Sequence, residues 1–258
     1  MRLTITTISY LLAACLIVVV GLPTPSNARS TSGEGLFLTV VDSLPMPPGL
    51  VLGLTWLPDG TIAVLREIPA DISERGKRQV LLSYLNKTGQ VLSEEDFTGT
   101  LDGGLASDGE FLWSCGADPQ GGALLYKIVP STGDVEGAFP LSGHRPSGVA
   151  WDGEDLWVVD RDSGRLDRFD PDEGQVTRSV LTPGFSPHGL THVGGHTWVS
   201  DQGTGRLYRL AGARRRWSGT VVADSFSHRG EEVVLGSDGS ALWIVTPDTG
   251  MAYLIRIH

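Results

Sequence analysis

The chain is poor in cysteine, in positive charge and in long apolar runs. It has two cysteines among 258 residues, and only Cys115 lies beyond the amino-terminal region, so no internal disulfide can hold the rest of the chain. Lys and Arg number 20 against 30 Asp and Glu, which argues against a nucleic acid or an anionic membrane surface as partner. At this length, one buried core can hold the chain instead.

The one long apolar run lies near the amino terminus and has the features of a secretory signal. Arg2 precedes it, the run extends from Tyr10 to Val20, and the small residues of Ser26–Ala28 follow. We therefore expect residues 1–28 to be removed and the mature protein to be secreted or periplasmic. Loss of Arg2 with this segment would leave a net charge near −11.

Two alternatives concern the same apolar run. A membrane-spanning helix needs about 20 apolar residues, and this run is shorter and is followed by prolines, so we expect no stable membrane span after cleavage. Leu12–Cys15 also resembles a lipoprotein cleavage box, which would leave the protein lipid-anchored through Cys15. The apolar residues Leu16–Val20 continue beyond that cysteine, which favours the secretory signal.

The rest of the chain consists of internal repeats of short apolar runs separated by turns. The clearest copy contains four such runs, within Gly148–Gly153, Leu156–Asp160, Gly164–Asp170 and Val176–Leu181, and predicts a four-stranded antiparallel blade. Its opening glycine recurs at intervals of 51, 44, 41 and 41 residues, a range typical of propeller blades: Gly53, Gly104, Gly148, Gly189 and Gly230.

A second marker, the turn at Gly89, Gly133 and Gly174, recurs with matching intervals of 44 and 41 residues. The last copy lacks a fourth strand, which Leu36–Val41 can supply by pairing with the carboxyl-terminal strand. We predict one all-β domain over residues 29–258, a five-bladed propeller with blades near 48–100, 101–145, 146–186, 187–227 and 228–258 plus 34–47. Six blades are the alternative if the long first copy hides a sheet, although the polar segment Arg66–Lys77 accounts for its extra length.

The loops that lead into the innermost strands and those that leave the second strands should share one face, around the mouth of the central channel. A residue type that recurs in several blades most simply serves the scaffold, so we assign to the core between blades the tryptophans Trp113, Trp157, Trp198 and Trp243. Asp160 and Asp201 also recur and fit turn caps that accept backbone N–H groups. They stay among the candidates for ligand binding at the mouth, together with Arg66, Ser147, Arg229 and Asp248.

Three residues break the repeat at the mouth and are candidate catalytic groups. Glu231 stands where the other copies carry an apolar residue, with Arg229 on the same strand face; a structural pair or a slipped strand is the alternative. His188 and His228 fall in loops of neighbouring blades, where imidazole suits proton transfer near neutral pH or ligation of a metal. A divalent metal is the one cofactor we consider.

The repeat resembles the blades of a broad superfamily of exported propellers. Gly148–Asp160, followed by Gly164–Pro171, is similar to the blades of NHL-repeat proteins, virginiamycin B lyase and glutamine cyclotransferases. A propeller with five blades most resembles the glutamine cyclotransferases, whose members convert an amino-terminal glutamine into pyroglutamate. Such motifs carry fold rather than activity.

Two classes of function follow. The first is a non-catalytic propeller that binds a small molecule, a peptide or a partner protein at the mouth. The second is a lyase, lactonase or glutaminyl-cyclotransferase-like enzyme, with Glu231 as base and His188 or His228 as acid or metal ligand. Convergence of these three side chains would favour the enzyme, and their separation would favour binding.

Overall fold

The computed structural model describes residues 38–70, 78–118, 120–142, 145–210, 221–223, 232–246 and 249–258. Their strands form five antiparallel four-stranded sheets, which are the blades of a propeller. From innermost to outermost strand, blade 1 is β2 (Leu50–Trp56), β3 (Ile62–Ile68), β4 (Gln79–Leu85) and β5 (Val91–Asp96); blade 2 is β6 (Leu101–Ser107), β7 (Leu112–Ala117), β8 (Ala123–Ile128) and β9 (Val135–Leu141); blade 3 is β10 (Pro146–Trp151), β11 (Leu156–Asp160), β12 (Arg165–Asp170) and β13 (Gln175–Leu181); blade 4 is β14 (Pro187–Val193), β15 (His196–Asp201), β16 (Arg206–Leu210) and β17 (Val221–Ala223); blade 5 is β18 (Val234–Ser237), β19 (Leu242–Thr246), β20 (Met251–Ile257) and β1 (Leu38–Pro45).

The burial of each strand follows from its place in the blade. Second strands such as β11 are buried along their whole length because a neighbouring blade covers each face, whereas the outermost strand β13 alternates between exposed and half-buried residues. The turns before three outermost strands each place a glycine at positive φ, which explains the second sequence marker: Gly89 at 82°, Gly133 at 70° and Gly174 at 66°.

Five apolar clusters lie between successive blades and hold the ring together. The second-strand tryptophans belong to these clusters and none is more than 8% exposed, which confirms them as scaffold: Trp113, Trp157, Trp198 and Trp243. Three of them also donate the indole N–H to the aspartate five residues earlier in the chain. The distances are 2.7 Å from Trp113 to Asp108, 2.8 Å from Trp157 to Asp152 and 3.0 Å from Trp243 to Asp238.

Glycines set the closest approach between neighbouring innermost strands. A Cβ added to Gly53 would lie 2.6 Å from Leu105 Cβ, and one added to Gly148 would lie 2.8 Å from the carbonyl oxygen of His188. Real Cβ atoms essentially never come so close to backbone, so only glycine allows the strands to pack at this distance. The recurring glycine therefore allows neighbouring innermost strands to pack closely around the channel.

The ring closes as the sequence predicts, with a strand from each end of the chain. β1 pairs antiparallel with β20 from Leu38 opposite Ile257 to Pro45 opposite Met251, and β18 packs against β2 of blade 1. The strand extends to Pro45 rather than ending at Val41. Five blades are confirmed and the six-bladed alternative is wrong, because the extra length of blade 1 lies between β3 and β4; residues 71–77 of that connection lie outside the described residues.

The alignment of blade 5 on Gly230 is wrong. Leu235 lies opposite Ile244 as Val149 lies opposite Val158, so the position of the recurring glycine is occupied by Val234. The apolar position assigned to Glu231 therefore belongs to Leu235, and the physical reason for the error is that the innermost strand starts four residues later than the glycine suggests. Glu231 itself lies outside the described residues, as do residues 1–37 with the predicted signal.

Candidate functional site

A polar cavity of about 230 Å³ opens at the channel mouth, on the face that the sequence predicts. Loops leading into the innermost strands and loops around the second strands both contribute to it. Its lining combines a few apolar groups with charges of both signs: Leu50, Leu52, Glu67, Arg78, Asp102, Gly103, Arg145, Pro146, Ser147, Arg161, His188 and Glu232.

Arg161 and Glu232 form the tightest ion pair of the cavity. An Nη2–Oε1 distance of 2.5 Å joins them, and the same Nη2 also donates to the side-chain oxygen of Gln202. Burial alone would raise the pKa of Glu232, but the hydrogen bond from Arg161 and the electrostatic interactions with His188, Arg161 and Arg145 outweigh it, so the pKa is lowered. Glu232 is therefore ionised and neutralised by Arg161 at neutral pH.

A second group of charges lies around Arg78. Its guanidinium is 2.8 Å from Glu67 and 3.6 Å from Asp102, and the hydrogen bond with Glu67 is the main reason that the pKa of Arg78 is raised. Arg145 is 3.7 Å from Asp162, and both of these side chains are more than half exposed. Among the described residues, Asp102 and Arg145 are thus the loosely paired charges of the cavity, since neither distance is that of a good hydrogen bond.

Two of the candidate residues line the cavity. His188 is 8% exposed at the start of β14, and its electrostatic interaction with Glu232 is among the causes of the lowered pKa of that carboxyl. Ser147 is also buried and donates its hydroxyl to the carbonyl oxygen of Pro187 at 3.3 Å. These two residues therefore line one cavity, and their roles in binding or catalysis stay predictions.

Three other candidates serve the scaffold and do not line the cavity. Arg66 is buried inside blade 1, where its Nε donates to Ser83 Oγ at 2.8 Å and its terminal nitrogens contact Glu94 and the carbonyl oxygen of Pro48. Its internal partners explain its burial, so a ligand is not needed to neutralise it.

Asp160 and Asp201 are the turn caps that their recurrence suggests. Asp160 accepts the backbone N–H groups of Arg145 and Ser163 at 2.7 and 2.8 Å. Asp201 does the same for Ser186 and Thr204, at 2.7 Å each. All of these acceptor atoms are used within the blades, which leaves little capacity for a ligand.

The remaining candidates lie outside the described residues: Glu231, His228, Arg229 and Asp248. The carboxylate that the structure brings to the mouth is Glu232, three residues before Leu235, as Asp102 is three residues before Leu105. Aligning blade 5 on its tryptophan, Trp243, instead of on Gly230 would have found it. Arg161 directly follows β11, in a loop that the sequence places at the channel mouth. Its positive charge in that loop was the feature that could have identified it.

A second cavity, of about 430 Å³, opens at the opposite end of the channel. Trp56, Trp151 and Thr191 contribute to its lining, and Asp108 and Asp238 are already bonded to tryptophan N–H groups there. Within the described ranges, no cluster of three or more His, Cys, Asp or Glu side chains could hold a metal ion. That part of the chain also contains no helix long and apolar enough to cross a bilayer.

No known protein-family profile and no curated protein matches the sequence. Solved structures do share the fold. Glutaminyl cyclase from Myxococcus xanthus superposes with a TM-score of 0.65 at 16% identity, over 85% of this chain and 96% of that chain. The PQQ-bound aldose sugar dehydrogenase of Streptomyces coelicolor gives 0.54 at 14% identity, over 86% and 98%.

The likeness is one of fold. Virginiamycin B lyase from Staphylococcus aureus, at 13% identity and a TM-score of 0.49, covers 86% of this chain and 99% of that chain. The glutaminyl cyclase and the aldose sugar dehydrogenase are β-propellers, so the resemblance seen in the repeats is confirmed for architecture. At such identities a shared fold leaves the activity open.

Proposed function

We propose that this propeller binds a small zwitterionic ligand, such as a free amino acid or the end of a peptide, at the mouth. The observation that supports this most directly is that Asp102 and Arg145, the two loosely paired charges, line the same cavity. Arg161 neutralises Glu232, and Glu67 contacts Arg78 at 2.8 Å, so these pairs are less available to a ligand. Asp102 would accept an ammonium group and Arg145 a carboxylate.

The size of the cavity agrees with a ligand of this class. Sites for drug-sized molecules occupy about 300–1,000 Å³, and the mouth at about 230 Å³ is smaller. Leu50, Leu52 and Pro146 add apolar wall, which would contact the aliphatic part of an amino acid. A longer peptide would place its end in the cavity and leave the remainder in solvent.

Calorimetric titration with free amino acids and dipeptides tests this proposal against analogues that carry one charge, namely amino-acid amides and N-acetyl amino acids. We expect zwitterions to bind at least tenfold more tightly than either analogue. Asp102→Asn and Arg145→Gln should each weaken binding about tenfold, since a charge-assisted hydrogen bond contributes about 1.5–3 kcal/mol. Asp172→Asn is the matched control, because Asp172 is exposed in the turn between β12 and β13 and does not line the cavity. Equal affinity for the singly charged analogues would overturn the proposal.

An enzymatic role is the second candidate, favoured by the likeness to a glutaminyl cyclase over 96% of that chain. In that reaction the α-amine of an amino-terminal glutamine attacks its own side-chain amide and ammonia leaves. His188, which lines the cavity, would serve as the proton-transfer group, together with Glu231 or His228. Ammonia release from a glutamine-terminated peptide, lost in His188→Ala, would support catalysis; binding of that peptide without ammonia release would exclude this reaction.

We also propose that residues 1–28 direct export of the protein, as the sequence predicts. Amino-terminal sequencing of the protein recovered from the periplasm or the medium should begin at Arg29. Protein that stays in the membrane fraction and carries lipid on Cys15 would instead support the lipid-anchored alternative.

A further inference from the structure

Blade 3 contains two carboxylates that satisfy its tryptophan and its arginine. Asp152 accepts the indole N–H of Trp157 at 2.8 Å, and Asp155 accepts Nε–H of Arg168 at 2.7 Å and also contacts its Nη2. Trp157 and Arg168 lie opposite each other on β11 and β12, so their side chains share a face of the blade. Both carboxylates come from the hairpin that joins β10 to β11.

Blade 4 retains the tryptophan and the arginine but lacks both carboxylates. Trp198 lies opposite Arg209 on β15 and β16, in the same register as the pair in blade 3. Val193, five residues before Trp198, takes the place that Asp152 has in blade 3. His196, two residues before Trp198, takes the place of Asp155. The donors of the repeat are present here and its internal acceptors are not.

The loss of the acceptors leaves buried polar atoms without hydrogen bonds. Nε1 of Trp198, Nε of Arg209 and Nδ1 of His196 are each inaccessible to solvent and lack a partner, and Trp198 as a whole is 1% exposed. A buried polar atom without a hydrogen bond destabilises the folded state, so three in one place are unusual in a native structure.

The other blades show that this feature belongs to blade 4. In blade 2, Trp113 bonds Asp108, while Lys127 pairs with Glu136 at 2.6 Å and lies 3.6 Å from the centre of the Phe111 ring. In blade 5, Trp243 bonds Asp238, and the residue opposite the tryptophan is the uncharged Leu254. Among the described residues, Trp198 is thus the one second-strand tryptophan whose N–H lacks an acceptor.

We propose that Trp198, Arg209 and His196 form a binding site for a carboxylate group supplied from outside the chain. One carboxylate oxygen would accept the indole N–H of Trp198 and the other would accept Nε–H of Arg209, which reproduces the two acceptors of blade 3. Arginine is well suited to this because its planar fork matches a carboxylate. The ligand class is therefore an organic carboxylate, either a small acid or an acidic group of a peptide.

The hairpin beside the site is suited to admit such a ligand. It turns through Gly194 and Gly195, whose φ angles are 61° and 75°, and nothing lies within 4 Å of a Cβ added to either. Because glycine tolerates many backbone conformations, this turn can move aside at little cost. The site lies beside the hairpin that joins the end of β14 to the start of β15. The mouth lies at the opposite end of β14, where that strand begins, so the two sites are separate.

The indole ¹⁵N–¹H signal of Trp198 provides a direct test. We would titrate the ¹⁵N-labelled protein with sodium acetate while sodium chloride keeps the ionic strength constant. The expected result is a saturable shift of the Trp198 signal, with the Trp157 signal unchanged because Asp152 already occupies its N–H. No saturable shift of Trp198, or an equal shift of Trp157, would overturn the proposal.

Variants make the test specific. Arg209→Gln should weaken acetate binding at least tenfold, and Val193→Asp should abolish it by supplying the missing acceptor from within the chain. The matched gain of function is Asp152→Val combined with Asp155→His in blade 3, which should make the Trp157 signal respond to acetate. If that double variant does not fold, Val193→Asp still decides: an undiminished acetate response in it contradicts the site.

The source of the carboxylate is distinguished by two further titrations. Acetate and succinate represent small acids, and an acetylated, amidated Gly-Asp-Gly peptide represents an acidic side chain of a protein. Tighter binding of the peptide would identify a protein partner, and tighter binding of the small acids would identify a metabolite. Asp102→Asn, which alters the mouth, should leave all of these responses unchanged, so failure at the mouth and failure at blade 4 are distinguishable.

Discussion

Arg161 and Glu232 join blade 3 to blade 5 at the mouth through an ion pair of 2.5 Å, although the two residues are 71 positions apart in the chain. Gln202 of blade 4 accepts from the same guanidinium nitrogen, so one arginine connects three successive blades. A side chain bonded to partners on two other blades is restricted in its rotamer. Such a restricted side chain is what the proposed ligand site at the mouth requires.

Replacement of this carboxylate should reveal a pH-dependent contribution to stability. The pKa of Glu232 is lowered in the folded protein from its ordinary 4.5. The stabilisation is therefore present above about pH 4.5 and is lost as the pH falls through the folded pKa. We expect Glu232→Gln to lower the free energy of unfolding by about 1 kcal/mol or less at pH 7, since both side chains are partly exposed.

Urea denaturation of the wild type and Glu232→Gln between pH 3 and pH 7 measures this difference. The two unfolding curves should converge at the acid end. Glu136→Gln is a control, because Glu136 pairs with Lys127 on blade 2, away from the mouth. A difference that grows toward low pH would contradict the sign derived for Glu232.

The architecture was predictable because each blade repeats the same physical solution. The recurring glycine marks the close approach of innermost strands, as the contacts of Gly53 and Gly148 demonstrate, and the recurring tryptophan fills the space between blades. A strand left over at the amino-terminal end had to pair with the incomplete last blade. Sequence patterns sufficed for this because the same contacts are made several times.

The site was harder to predict because its residues do not repeat. Gly230 matched the expected interval of 41 residues, yet Val234 occupies the glycine position, so the repeat pattern indicates Glu231 where the structure has Glu232. Similarly, the partners of the buried Arg66 come from β4, β5 and the loop before β2. The repeat pattern aligns the blades with one another, but it does not show which charged side chains form ion pairs across strands or between blades.

The narrow fit between innermost strands predicts a large penalty for a single methyl group. In Gly148→Ala the new Cβ would lie 2.8 Å from His188 O, Leu190 N and Leu190 Cβ, two of which are backbone atoms that cannot rotate away. We expect destabilisation at the upper end of about 1–3 kcal/mol or beyond, measured by urea denaturation. Gly137→Ala is the matched control, since its Cβ would meet chiefly the edge of the Phe139 ring, which can move. Equal effects of both substitutions would contradict a role for Gly148 in spacing the strands.

The single cysteine of the blades should be inert in the folded protein. Burial is the main reason that the pKa of the Cys115 thiol is raised, and the negative charges of Asp102 and Asp160 raise it further. Because the thiolate is the reactive form, we expect no reaction with a disulfide reagent at pH 8 until the protein unfolds. Lys87→Cys adds an exposed thiol as the internal control and should react at once with one equivalent. Rapid reaction of Cys115 in the folded wild type would show that blade 2 opens at the mouth.

Closure of the ring predicts that the first described strand is required for stability. Removal of β1 exposes the backbone groups of β20 and uncovers the cluster that contains the buried Leu44. A chain that begins at Met46 should therefore be less stable by on the order of 5 kcal/mol, given about 1 kcal/mol per lost backbone hydrogen bond. It should also self-associate through its free edge. Urea denaturation and sedimentation measure both effects against the full-length chain.

A synthetic peptide of residues 36–47 should restore the denaturation midpoint when added in excess, whereas the same residues in scrambled order should not. An unchanged midpoint in the shortened chain would mean that the ring stays closed without its amino-terminal strand.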